Sequence, residues 1–124
     1  MVSENEAEEV VDRFLATCES GDVEEMLAFF ADDAVYHNIP LQPAVGIDAI
    51  REHMSDFYGK LDSGIRPEVH HQLADGPLVM MERTDHFAAN GQDVSLPICG
   101  VFEIEDGRIK RWREYFDMSR FANQ

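Results

Sequence analysis

Apolar residues recur at helical spacing through the first half of the chain and alternate with polar ones through the second. Ala7, Val10, Val11, Phe14, Leu15 and Cys18 fall on one helical face, behind a Ser3-x-x-Glu6 capping box. Gly21 stops this helix. Asp22 and Glu25 repeat the box ahead of a short second helix carrying Met26, Leu27 and Phe30. A strand is predicted over 34–38. The stretch 39–46 holds Pro40, Pro43 and Gly46, which argues against regular structure. A third helix starts near Ile47, with Ile50, Met54, Phe57 and Leu61 on one face, and Gly64 ends the region.

The rest reads as strands over 65–73, 78–87, 94–104 and 108–117. Gly76-Pro77, Asn90-Gly91 and Asp106-Gly107 supply the turns. Pro97 suggests a bulge or an edge position. Helices first and a meander of long strands afterwards is an α+β pattern. The expected fold is a single domain over 1–124. A curved, mixed but mostly antiparallel sheet forms a cone, with the three helices of the first half packed on its concave face. Such a cone encloses a pocket between its layers.

Composition narrows the partners. Ten Lys and Arg stand against 25 Asp and Glu, for a formal charge of −15. Phosphate binding needs a cationic footprint, so no nucleic acid and no anionic membrane surface is expected. Eleven acidic residues lie in the first 33 positions, where Arg13 is the only basic one; they read as a solvated helical face. No apolar run approaches a membrane span. The start of the chain is acidic where a secretion signal is basic. Cys18 and Cys99 are isolated and read as reduced core residues, which together predict a cytoplasmic protein. His70 and His71 are neighbours on a strand and should face opposite ways. Neither a metal nor another cofactor is expected.

The strand 79–87 carries the most chemistry. Period-two alternation puts Val79, Met81, Arg83, Asp85 and Phe87 on one face, and the apolar three turn that face inward. Arg83 and Asp85 are then charges in an apolar layer, which is costly unless they are paired. Asp117 follows Tyr115 and Phe116 at the end of the last strand. Tyr36 and Asn38 share a face of the first strand, where a phenol and an amide can hold a water between them.

In order, Tyr36-x-Asn38, Glu82-Arg83-x-Asp85 and Tyr115-Phe116-Asp117 resemble the limonene-1,2-epoxide hydrolase family. The likeness extends to the stretch 39–46 and to Gly100 and Phe102. It implies the α+β cone of the nuclear transport factor two and ketosteroid isomerase superfamily. It also implies an enzyme that adds water to an epoxide without a covalent intermediate. By this resemblance Asp117 is the base, Tyr36 and Asn38 hold the water with it, Asp85 is the acid, and Arg83 bridges the two aspartates. The expected substrate is a small lipophilic epoxide of terpene, sterol or fatty-acyl type, which water opens to a vicinal diol. Phe57, Leu61, Met81, Phe87, Leu96, Ile98 and Phe121 are the predicted pocket wall. A ketosteroid-isomerase or polyketide-cyclase-like enzyme and a non-catalytic binding module are the alternatives on this fold. Isomerisation, however, needs no water site, and a binding module needs no pair of carboxyls. A homodimer is expected, formed through Val101, Trp112 and Phe116 on the outer face of the sheet.

Overall fold

Both capping boxes start helices. A computed structural model describes residues 3–122 of the chain. Helix α1 spans Glu4–Thr17, and Ser3 Oγ accepts the Glu6 N–H at 3.2 Å. Helix α2 spans Val23–Leu27, capped in the same way by Asp22 on Glu25 N–H at 3.2 Å. Phe30, expected on α2, instead opens strand β1 (Phe30–Asn38), where it pairs with Ile109 and is buried. The helix ends after five residues, and the strand begins ahead of its alternating segment.

The stretch 39–46 is not wholly irregular. Its β2 (Ala44–Val45) pairs antiparallel with Val35 and Tyr36 of β1. Helix α3 spans Ile47–Tyr58 and packs against β1. Strands β3 (Arg66–Asp75), β4 (Leu78–Ala89), β5 (Gln92–Glu105) and β6 (Arg108–Tyr115) follow, then the short helix α4 (Ser119–Ala122). Both Asn90 (φ 55°) and Gly91 (φ 75°) adopt positive φ, the backbone that lets a two-residue turn match the twist of β4 and β5.

The sheet order is β2-β1-β6-β5-β4-β3, with β1 and β6 parallel and every other neighbour pair antiparallel. Strand β6 meets β5 only from Cys99 onward, so Pro97 lies on a stretch with β4 as its one neighbour. There the open side tolerates the missing N–H. A register shift between Val69 and His71 overturns the expectation that His70 and His71 face opposite ways. His71 pairs with Glu82, and His70 reaches the hydroxyl of Thr84 at 2.8 Å, both on the outer face.

Helix α1 crosses the concave face. Phe14 is fully buried and meets Phe30, Phe102 and Trp112 edge-on at 5.4, 6.1 and 5.0 Å between ring centres. Such pairs add to the roughly 1.5–3 kcal/mol that burying a large apolar side chain contributes. This cluster fills one end of the cone and leaves the other end open.

Two expectations about faces are corrected. Trp112 points inward, because pairing with β1 sets it opposite Tyr36, on which it stacks at 4.2 Å. Phe116 packs on the core from the same side. Val101 does sit outward, beside Met80 and Arg113. Cys18 is buried as expected, whereas Cys99 is exposed, since it pairs between Glu82 and Tyr115 on the outer face.

Candidate active site

The open end of the cone holds a cavity of about 390 Å³. Its strand-borne polar groups come from β1, β6 and β4, with β5 lying between the last two. Across the inner face Asn38 of β1 lies beside Glu114 of β6, and Glu114 beside Gly100 of β5. One step along β4, Arg83 and Asp85 occupy the inward positions of alternating burial. Arg83, Asp85 and Glu114 are 2%, 7% and 2% exposed.

Arg83 binds both carboxylates. Its Nε donates to Asp85 Oδ1 at 2.9 Å and its Nη2 to Asp85 Oδ2 at 3.2 Å. Its Nη1 donates to Glu114 Oε2 at 3.0 Å, and Nη2 also donates to Glu114 Oε1. The planar fork of the guanidinium suits two bidentate carboxylates, where an ammonium could not serve both. Gly100 makes the bridge possible. A Cβ there would stand 2.8 Å from Arg83 Nη1 and closer still to Glu114 Oε2.

The electrostatics follow from burial. Two carboxylates share one cation, so the cluster carries a net negative charge unless it holds a proton. Burial pushes the Glu114 carboxyl above its ordinary range; Arg83 acts against this and the Asp85 charge adds to it. Arg83 itself is held charged by its two partners in spite of its burial. Burial also pushes the Tyr36 phenol up, reinforced by the Glu114 charge, while its bond to the Asn38 amide acts the other way. Tyr36 therefore stays a neutral hydroxyl.

Asp117 is not part of this cluster. It lies past the end of β6, exposed, and its Oδ1 accepts the Ser119 N–H at 2.9 Å. That bond holds its carboxyl below the ordinary range. It does not line the cavity, and Glu114 occupies the place on Arg83 that the sequence reading gave to Asp117. The missed residue had a signal. Trp112, Glu114 and Phe116 alternate as Met81, Arg83, Asp85 and Phe87 do, a charge between large apolar residues.

Tyr36, Asn38, Arg83 and Asp85 all line the cavity together with Glu114. Of the predicted wall, Phe57, Leu61, Phe87, Leu96 and Ile98 line it. Met81 is instead 2% exposed within the core and does not line the cavity. The side chain of Phe121 lies outside the described residues. His53, Tyr58 and Cys18 are lining groups that the sequence reading did not assign to the site. The Cys18 thiol is pushed up to about 12 by burial, which leaves it protonated and a poor nucleophile.

The SnoaL-like domain model matches residues 11–112. Epoxide hydrolase EphG of Mycobacterium tuberculosis is 34% identical over 108 residues, covering 87% of this chain and 71% of that protein. The solved structure of an M. tuberculosis LEH-like (limonene-epoxide-hydrolase-like) epoxide hydrolase superposes with a TM-score of 0.83 at 32% identity, covering 97% of this chain and 89% of the other. Bal32a, from a soil-derived mobile gene cassette, shares the fold at 22% identity, with a TM-score of 0.82 over 97% of this chain and 96% of its own. The domain match and the identity to EphG carry the assignment beyond fold alone: this chain belongs to the SnoaL-like domain family and, within it, to the limonene-1,2-epoxide hydrolase family of enzymes.

Proposed function

We propose that this protein hydrolyses a lipophilic epoxide to a vicinal diol in one acid–base step, with Glu114 in place of Asp117 as the base. Glu114 takes a proton from a water held by Tyr36 and Asn38, and that water attacks an epoxide carbon. Asp85 delivers its proton to the ring oxygen as the carbon–oxygen bond breaks, so no bare alkoxide forms. Arg83 fixes both carboxyls and its charge offsets one of them, so that a single proton neutralises the set. The rise in the Glu114 pKa makes its carboxylate a stronger acceptor for a water proton.

The observation that carries this reading is Arg83 bridging two buried carboxylates at the base of a largely apolar cavity, with Asn38 beside one of them. The wall of Phe57, Leu61, Phe87, Leu96 and Ile98 suits a hydrocarbon body of terpene, sterol or fatty-acyl type. No covalent intermediate is part of this reading: the attacking oxygen is the water's, and burial keeps the cavity's thiol protonated.

A homodimer remains part of the proposal, through a different set of residues. Leu73, Met80 and Val101 form one row across the outer face, and Leu73 and Met80 are 77% and 47% exposed. The two free cysteines fit a reducing compartment such as the cytoplasm.

Diol formation from a panel of terpene, sterol and fatty-acyl epoxides tests the reaction. One turnover in oxygen-labelled water should place the label in the diol. Unlabelled oxygen in the first product would instead reveal an enzyme-bound ester.

A further inference from the structure

His53 projects from α3 onto the water-holding pair. Its Nε2 lies 3.1 Å from Asn38 Nδ2, and its ring meets Tyr36 edge-on with centres 5.3 Å apart. An amide nitrogen carries only donor hydrogens, so the imidazole nitrogen facing it must be the acceptor. The ring is then neutral, with its proton on Nδ1. The ring thus touches both groups that would hold the water.

We infer that His53 is a positioning residue: as a neutral imidazole accepting at Nε2, it fixes the orientation of the Asn38 amide that holds the attacking water. The inference deepens the hydrolase reading and rests on it for the water. The contact between His53 and Asn38 stands on geometry alone.

Protonation would break the lock. A charged ring presents N–H at Nε2 to an amide NH₂, two donors facing each other, and Asn38 would turn its oxygen toward the ring. From β1 the ring is faced by Tyr36 and Asn38, and on its own helix by Asp56, which is paired with Lys60 at 3.3 Å. Burial holds the imidazole below its ordinary value of 6.5, with the Asp56 charge acting in the opposite sense. The neutral form therefore prevails at neutral pH, and the lock opens only in acid.

Two measurements test this. Proton–nitrogen correlation spectra of the intact protein should show the Nδ1-protonated tautomer of His53 at neutral pH. The side-chain amide signals of Asn38 should shift with the midpoint of His53 titration. In the epoxide assay, His53→Phe should lower kcat about tenfold with KM changed less than about twofold. His53→Gln keeps an acceptor oxygen and should recover most of that loss, and its acid limb should lack the histidine proton. An Nε2-protonated ring at neutral pH, an Asn38 amide indifferent to His53 titration, or a wild-type kcat in His53→Phe overturns the inference. If no epoxide is turned over, the hydrolase reading fails, while the spectra still decide whether His53 orients Asn38.

Discussion

The two faces of this sheet use the same ion-pair chemistry with opposite consequences. On the outer face Arg113 meets Glu103 at 2.5 Å, with side chains 30% and 34% exposed. Water screens such pairs, and each contributes at most about 1 kcal/mol. On the inner face Arg83, Asp85 and Glu114 have side chains 2%, 9% and 3% exposed. Desolvation there makes each charge depend on its neighbours and shifts the Glu114 carboxyl upward. A short ion pair alone marks no site; what distinguishes Arg83 is that two carboxylates compete for it beside an apolar cavity.

The largest expected contrast separates Glu114 from Asp117. Glu114→Gln keeps the side chain's shape and removes the proton acceptor, so kcat should fall roughly 10²–10⁴-fold. Asp117→Asn alters an exposed turn and should stay within about twofold of wild type. Rate measurements on the two purified variants check this, and the reverse ranking would return the base to Asp117. The pH profile sharpens the same point. The base must be ionised, so kcat should fall as pH drops and Glu114 takes up its proton. Because burial raises its pKa, that limb should lie above the ordinary glutamate value of 4.5.

Arginine replacements should separate the faces by stability. Arg83→Leu leaves two buried carboxyls facing each other and should cost about 3–5 kcal/mol in denaturant unfolding. Arg113→Leu breaks a half-buried pair that still meets water and should cost less, about 1 kcal/mol. Equal losses would show that burial does not set the weight of these charges.

Much of the fold was legible because local rules and burial agree. The caps at Ser3 and Asp22, the turns at Asn90-Gly91 and Asp106-Gly107, and the alternation from Val79 to Phe87 all hold. The failures at Trp112, Phe116 and Glu114 share one cause, the phase of β6. Period two offers two faces, and choosing one reverses every side chain on the strand. Putting Trp112 and Phe116 outward hid Glu114 between them, and the motif resemblance placed the base on Asp117. Pairing with β1 resolves the phase, since it sets Trp112 on Tyr36 and Glu114 beside Asn38. That parallel contact joins residues more than seventy positions apart, so no local pattern encodes it. His53 was illegible for a similar reason: its spacing on α3 does not reveal that Asn38 sits opposite.

A smaller perturbation acts on the bridge without touching a charge. Gly100→Ala would place a methyl 2.8 Å from Arg83 Nη1 and nearer still to Glu114 Oε2. The strand has no room to retreat, because β4 and β6 flank it on both sides at this position. Arg83 and Glu114 must therefore separate or tilt. Strain of this kind typically costs about 1–3 kcal/mol. Activity should fall further than stability, since the proton shared by the carboxyls depends on their geometry. Unfolding curves and kcat for the same preparation check the ordering.

The smallest effect on catalysis should come from the outer row of Leu73, Met80 and Val101. Leu73 and Met80 leave apolar surface exposed on strands β3 and β4 and take no part in the cavity. If this row is the dimer contact, Leu73→Glu combined with Met80→Glu sets a desolvated like charge on each partner and should yield a monomer by light scattering. The inner face keeps its own hydrogen bonds within one chain, from Arg83 to Asp85 and Glu114 and from Asn38 to His53. No group in this set is supplied by a second copy, so kcat should stay within about twofold of wild type. A wild-type protein that already scatters as a monomer would remove the dimer. A monomeric double variant with much lower kcat would show instead that the outer contact holds the curvature of the sheet on which Arg83 and Glu114 depend.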